Sequence, residues 1–216
     1  MDRAVDRRQL AREQPEKSSK WPRTERRQRR IRQVVEHRQP DLTVVLENVH
    51  DVHNVSAVLR SCDAVGVLAI HTIYSFENRP ERAYAHTTSA GAAKWIDVQH
   101  FNSVADCYRL LREHGFCIFA AALTEEGKSL YEIDLAGKVA LVFGNEMRGL
   151  TPEAIEQADG SFEIPMRGMI ESLNISVACA VTLFEAARQR AASGAYDGPK
   201  LSPEQLDAIT ADWLRR

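Results

Sequence analysis

The chain has 216 residues, 44% of them apolar and 27% charged, with a net charge of −2 at neutral pH. That composition suits one globular domain with appendages, apolar enough to bury a substantial core. No apolar run reaches the about eighteen residues of a membrane span and no secretory segment opens the chain. Cys62, Cys107, Cys117 and Cys179 are scattered without a CxxC pair, as expected for reduced core thiols of a cytoplasmic protein.

The small net charge conceals an asymmetry. Residues 1–38 hold 13 Lys and Arg against 6 Asp and Glu, or +7, and the rest holds 15 against 24, or −9. A basic arm on an acidic body fits a nucleic-acid partner, because each phosphate contact releases condensed counterions. The alternative, a solubilising helix laid on the acidic body, stays open at this point.

In chain order, residues 1–19 are polar, aperiodic and nearly charge-balanced, which predicts disorder. Residues 24–37 predict a strongly basic helix with Ile31, Val34 and Val35 as a thin docking stripe, ended by Pro40. A strand is expected over 42–49, a polar loop over 50–53, a helix from Ser56 to Gly66, and a strand over 67–75. The small polar residues of 76–93 predict a loop with at most a short helix. Further strands are expected at 94–101, 116–123, 138–144 and 161–165. Helices are expected at 103–114, from Thr151–Pro152 onward, from Ser176 to Arg190, and at 202–216. In the helix from Ser176, Val177, Ala178, Val181, Phe184 and Ala187 recur every three or four positions and predict the buried side. Arg188 and Arg190 fall in its last turn, where cations suit the helix dipole.

Alternating helices and apolar strands predict an α/β fold around a parallel sheet buried on both faces. Ligands of such sheets sit beyond the carboxyl ends of the strands. Three polar loops fall there: 50–54, 144–149 and 166–174. The third is broken by Pro165 and Gly168, and it can present backbone N–H groups at a helix start. An ordinary connection with Ser172 or Asn174 as helix N-cap is the competing reading.

The usual chemistries find no support. GNEMRG lacks the Gly-Lys-Ser/Thr of a phosphate loop, no GxGxxG follows the first strand, and no GxSxG surrounds a serine. His50 and His53 stand without a carboxylate or thiol cluster, so no metal site is expected. What remains is a loop-built site with Asn54, Arg60, Glu146, Ser172 and Asn174, together with the basic arm.

Three stretches carry a resemblance. ENVHDVHNVSAVLRSCDAVGV, LVFGNEMRGL and IPMRGMIESLNISVACAVTLFEAARQR resemble the three motifs of the SpoU branch of the SPOUT RNA methyltransferases. The flanking RQPDLTVVLENVH and the closing ADWLRR are similar to the TrmH subgroup, which methylates the ribose 2′-hydroxyl of guanosine 18 in tRNA. The likeness runs from about residue 24 to the end of the chain.

The resemblance implies a parallel-sheet SPOUT fold with a C-terminal trefoil knot, a homodimer, and S-adenosylmethionine as cofactor. It divides the chain into a basic arm (1–38), a methyltransferase domain (39–192), and a linker with a C-terminal helix (193–216). It assigns catalytic roles to Arg60, Asn54, Glu146, Ser172 and Asn174, and cofactor contacts to Leu123, Gly144, Ile164, Met166 and Leu173. Arg23, Arg26, Arg27, Arg29 and Arg30 of the arm, with Arg188, are the expected RNA contacts. No metal and no membrane are implied.

The assignments are chemically sensible. Adenine needs an apolar slot with backbone donors and acceptors, and Gly144 lets the chain approach a ligand closely. A sulfonium methyl is already activated, so the enzyme must mainly align the nucleophile and remove its proton. Arg60 suits holding a phosphate and polarising the hydroxyl better than accepting a proton. For Glu146, bonding the loop's N–H groups competes with a catalytic role. Met147 and Arg148 occupy a variable part of the second motif, which leaves substrate detail open. Methylation of ribosomal RNA or of another tRNA position is the alternative within the class. A non-catalytic RNA-binding protein is the alternative outside it.

Overall fold

The computed structural model describes residues 23–75 and 91–216. The disorder expected for 1–19 and most of the 76–93 loop lie outside the described residues. The strands are β1 (Leu42–Glu47), β2 (Ala69–Ile73), β3 (Asp97–Phe101), β4 (Cys117–Ala121), β5 (Lys128–Ser129), β6 (Val139–Phe143) and β7 (Gly160–Glu163). The helices are α1 (Arg23–Glu36), α2 (Val52–Val65), α3 (Val104–Glu113), α4 (Pro152–Glu156), α5 (Ile175–Ala192) and α6 (Pro203–Arg215). The strands pair in the order β3-β2-β1-β6-β4-β7-β5, every pair parallel. At the centre Val44 stands opposite Ile70 on one side and Leu141 on the other.

The alternation of side chains divides β1 between two cores. Leu42, Val44 and Leu46 face α2 and α5, where Val58, Leu59, Cys179 and Leu183 complete one apolar layer. Val45 points the other way, with Cys107, Tyr108 and Leu111 of α3 and Ala154 of α4. Fully burying a Val or Leu stabilises by roughly 1.5–3 kcal/mol, so these two layers supply most of the drive to fold. Gly66 ends α2 in a left-handed conformation, φ +89°, and a Cβ there would stand 2.7 Å from the His37 carbonyl oxygen. The sequence expectation for that stop holds.

Four expectations need correction. The helix after β1 begins at Val52 rather than Ser56, because the Asp51 carboxylate caps it by accepting from the His53 amide at 2.8 Å. Asn54 therefore sits in a helical first turn and not in a loop. β3 is an exposed edge strand rather than an apolar one, since among the described residues no strand pairs beyond it. Cys117 is exposed at the start of β4, whereas the other three cysteines are buried. The buried side of α5 carries Ile175, Cys179, Leu183 and Ala186, and leaves Val177 47% and Phe184 58% exposed. That helix is apolar nearly all round, so periodicity had no polar face from which to orient it. The short β5, two residues long, had no sequence signal.

α1 and α6 form a separate small layer. Ile31 and Val35 bury against Leu201, Leu206 and Trp213, as the docking stripe predicted. α6 starts with a capping box in which Ser202 and Gln205 satisfy each other's backbone amides, and Pro203 occupies the first turn. Arg32 bridges the two helices to Asp207.

Arg190 is 0% exposed, and each of its five N–H groups has an acceptor. Nε donates to the Leu135 carbonyl at 3.1 Å. Nη1 donates to Gln39 Oε1 at 3.1 Å and Asp41 Oδ1 at 2.6 Å, and Nη2 to the carbonyls of Asp41 and Gly137. Burial works against the Asp41 carboxylate, but the Lys200 ammonium and the Arg190 guanidinium outweigh it and hold its pKa below the ordinary value. The stability this contributes is therefore present above the ordinary carboxylate pKa and is lost on acidification below it. Arg190→Ala strands several buried acceptors and should lower the unfolding free energy by about 3–5 kcal/mol in urea titrations. Arg190→Lys should recover little of it, because a point charge cannot serve a fork of five acceptors.

Candidate active site

Because β6 lies between β1 and β4, loops far apart in sequence emerge side by side at the carboxyl edge of the sheet. Their backbones and the start of α5 enclose a cleft of about 320 Å³. Ala121 to Leu123 after β4 form one wall, and Gly144 to Glu146 after β6 form the next. Ile164 and Met166 after β7, with Ser172, Leu173 and Ile175 leading into α5, close it. Leu123, Gly144, Ile164, Met166 and Leu173 all lie on this wall, and so do Glu146 and Ser172. The walls are mainly apolar side chains and backbone, which suits a ligand with a flat apolar ring and polar edges.

Two more side chains join Glu146 at the rim. Asn54 Nδ2 donates to Glu146 Oε1 at 2.6 Å, and Asn174 Nδ2 donates to Asn54 Oδ1 at 3.2 Å. Asn174 Oδ1 in turn accepts from the Ser176 amide at 2.9 Å and its hydroxyl at 2.6 Å, capping α5. The two competing roles of Asn174, helix cap and site residue, are thus held by one side chain. Its Oδ1 serves the helix, and its Nδ2 extends a polar chain to the Glu146 carboxylate. The positive end of the α5 dipole points at the same rim.

The loop after β6 owes its shape to residues the sequence did not single out. Asn145 and Gly149 pair their backbones, with N···O distances of 3.0 and 2.8 Å. Asn145 Oδ1 accepts from the Met147 and Arg148 amides, and its Nδ2 donates to the Asn48 carbonyl at 2.9 Å. Asn48 itself holds φ +52° and exchanges hydrogen bonds with Ser75. Glu47, buried at the end of β1, accepts from the Thr151 amide at 2.9 Å and hydroxyl at 2.6 Å. A Gly-Asn pair directly after an apolar strand was a turn signal for Asn145, and a carboxylate closing a buried strand called for a partner. Gly144 lines the cleft, and the structure gives its missing side chain a cause that the sequence did not suggest. A Cβ there would overlap the Gly149 carbonyl and the Leu150 amide, so the loop's own backbone excludes it.

Other expected residues lie elsewhere. Arg60 is exposed on α2 and is not on the cleft wall, about 9 Å along the helix axis from Asn54. Arg188 is half-committed: its guanidinium makes two 2.8 Å hydrogen bonds to the Glu185 carboxylate, which they hold below its ordinary pKa. Arg26, Arg27, Arg29 and Arg30 are exposed along α1, and Arg23 begins that helix. Among the described residues no group of three His, Cys, Asp or Glu could hold a metal ion, and no helix is long and apolar enough to cross a membrane.

Residues 41–184 match the SpoU rRNA Methylase family. Over 194 residues the chain is 48% identical to the tRNA (guanosine(18)-2′-O)-methyltransferase of Thermus thermophilus, covering 90% of this chain and 98% of that one. The crystal structure of the Aquifex aeolicus TrmH/SpoU tRNA modifying enzyme superposes with a TM-score of 0.82 at 38% identity, covering 89% of this chain and 96% of that one. The AdoMet-bound rRNA methyltransferase from Sinorhizobium meliloti superposes with a TM-score of 0.63 at 26% identity, covering 73% and 59%. The chain belongs to the SpoU rRNA methylase family.

Gly144→Ala must push the Gly149–Leu150 backbone out of the cleft wall. Displacements of about 1 Å at such walls cost on the order of a hundredfold in activity, and a loss of that size is expected in methyl transfer. Calorimetric titration with S-adenosylmethionine should show weakened binding, while circular dichroism of the variant stays that of the parent.

Proposed function

We propose that this member of the SpoU family methylates the ribose 2′-hydroxyl of guanosine 18 in tRNA, as a cytoplasmic homodimer that uses S-adenosylmethionine. The carrying observation is the cleft lined by the second and third motif loops, with Asn54 of the first motif bonded to Glu146 and Asn174 at its rim. The 48% identity to a tRNA (guanosine(18)-2′-O)-methyltransferase across 90% of the chain supports the choice of substrate.

The residues present fit the cofactor. Ile164 and Leu173 offer the apolar slot, Gly144 and Met166 the backbone edges, and Leu123 the opposite wall. When bound, S-adenosylmethionine supplies a methyl group already activated on a sulfonium. The chain's own tasks are alignment and deprotonation of the ribose hydroxyl. Asn54 holds the Glu146 carboxylate at the rim and is itself held by Asn174, and Ser172 stands on the cleft wall. Arg60 holds a phosphate of the RNA and polarises the hydroxyl, since its high pKa makes it a donor and not a base. The exposed arginines of α1 draw in the tRNA against a body of net charge −9.

The dimer completes the site. Val177 and Phe184 leave apolar surface uncovered on α5, which packs beside α2. A second copy covering that face brings Arg60 to a cleft that its own chain's wall lacks. The divisions 1–38, 39–192 and 193–216 then become arm, catalytic domain with its trefoil knot, and closing helix. The rRNA methyltransferase among the structural neighbours keeps ribosomal RNA as the second reading.

Labelled methyl groups should appear in unfractionated tRNA, and mapping should place them on the ribose of guanosine 18. Label confined to ribosomal RNA would select the second reading, and no transfer to either would refute the enzyme. Arg60→Ala should lower kcat by roughly a hundredfold or more while S-adenosylmethionine affinity stays put. Mixing that variant with Gly144→Ala should restore part of the activity, because a mixed dimer contains one complete cleft. Separately, sedimentation should find a dimer that Phe184→Glu dissociates. A parent protein sedimenting as a monomer at every concentration would remove the dimer from the scheme.

A further inference from the structure

A second concave site lies away from the methyl-transfer cleft, where α1 meets α6. It is a cavity of about 230 Å³ walled by Arg30 and Val34 of α1, Arg38, Asp63 of α2, Trp95 and Trp213. The two indole rings lie 5.0 Å apart and are inclined at 50°. Arg38 is 1% exposed, and its guanidinium stands 4.8 Å from the centre of the Trp213 ring. Its Nη1 donates to the Val67 carbonyl at 2.9 Å and its Nη2 to the Asp63 carboxylate. The third donor, Nε, has no acceptor among the described residues. Buried donors are rarely left so, and an orphan of this kind calls for an explanation.

We propose that this cavity receives one unstacked nucleobase of the bound tRNA, an inference that rests on the reading of tRNA as substrate. The volume falls below the roughly 300–1,000 Å³ of sites for drug-sized ligands, so it suits a single ring system and not a whole nucleotide. The two indoles touch each other and Arg38 lies over Trp213, so the half-buried Trp95 is the ring left to stack on. An aromatic face of this kind is a common receptor for a splayed-out base in RNA recognition. The polar groups fit the edge of such a base: the Asp63 carboxylate accepts, and Arg38 supplies the donor that lacks a partner. Arg30 at the mouth identifies what the ring is attached to. Arg26 and Arg27 lie four and three residues before it, adjacent on the helix surface, and continue a line of cations away from the opening. A base in the cavity with its flanking phosphates on that line is the geometry of a nucleic-acid strand. A free metabolite would leave the outer arginines without a role.

The test uses the full-length protein and an unmodified tRNA transcript. Val34→Phe fills the cavity, and Trp95→Leu removes one stacking face. Each should weaken tRNA binding by roughly five- to a hundredfold, the worth of one stacked base, with the salt dependence of binding unchanged. Calorimetric binding of S-adenosylmethionine should match the parent in both variants, which shows that they fold. Replacing Arg26 and Arg27 together by Gln should instead flatten the salt dependence, as expected for lost phosphate contacts. Transfer RNA should quench tryptophan fluorescence in the parent, and heparin, a polyanion without bases, should not. If both cavity variants bind the cofactor normally and bind tRNA as tightly as the parent, or if heparin quenches equally, the proposal is overturned. If the parent itself neither binds nor methylates tRNA, the substrate reading falls first, an outcome separate from failure of the cavity alone.

Discussion

The buried guanidinium of Arg190 is the constraint on which the rest of the architecture hangs. A charge with no exposure is tolerable only when every donor is met, and here five donors meet five acceptors from two segments. Those segments are the turn entering β1, which contributes Gln39 and Asp41, and Leu135 and Gly137 in the approach to β6. The arginine therefore pins the C-terminal end of α5 to the amino edge of the two central strands. Asn174, sixteen residues earlier and about 24 Å away along the helix, is thereby delivered to the carboxyl edge. The site at one end of the sheet depends on an ionic fastening at the other.

Between these ends, packing leaves little freedom. Both faces of β1 are buried, so its register against β2 and β6 cannot slip without moving a whole apolar row into the wrong layer. That rigidity is what allows polar loops to be held without regular structure of their own. Asn48 and Asn145 link the ends of β1, β2 and β6 by side-chain bonds to backbone, and Glu47 ties β1 to the start of α4. The cleft wall is built from loops, but each loop is bonded to a strand end that cannot move.

The electrostatic design is similarly divided. Cations that carry structure are buried and saturated, as at Arg190, or paired, as at Arg38 with Asp63. Arg26, Arg27, Arg29 and Arg30 stand exposed along α1, where their mutual repulsion is screened by solvent and salt. α1 is held to the body by a narrow apolar stripe and by Arg32, so its charged side faces outward. Under the proposed function, such an arrangement lets a body of net negative charge meet RNA without neutralising its own surface.

The α/β class, the parallel sheet, the order of most elements and two of the cleft's loops, 144–149 and 166–174, were legible in the sequence. Each rests on local signals that act within a few residues: the Gly66 stop, the Thr151–Pro152 start, the continuous apolar runs of β1 and β6. Family motifs added the residues of the cleft wall, and the structure places all five of the expected cofactor contacts there. Tertiary structure alone decided the rest. Which side of α5 is buried depended on the neighbours it meets, because an all-apolar helix carries no internal preference. The hydrogen bonds from Asn54 to Glu146 and Asn174 cross 92 and 120 residues of chain, and no local pattern encodes a contact at that separation. Gly144 was legible as a glycine and as a cleft residue, but the Gly149–Leu150 backbone that forbids a side chain there exists only once the loop has closed. The separation of Arg60 from that wall, and the cavity that two tryptophans 118 residues apart help to line, likewise appear only when α1, α2 and α6 are packed together.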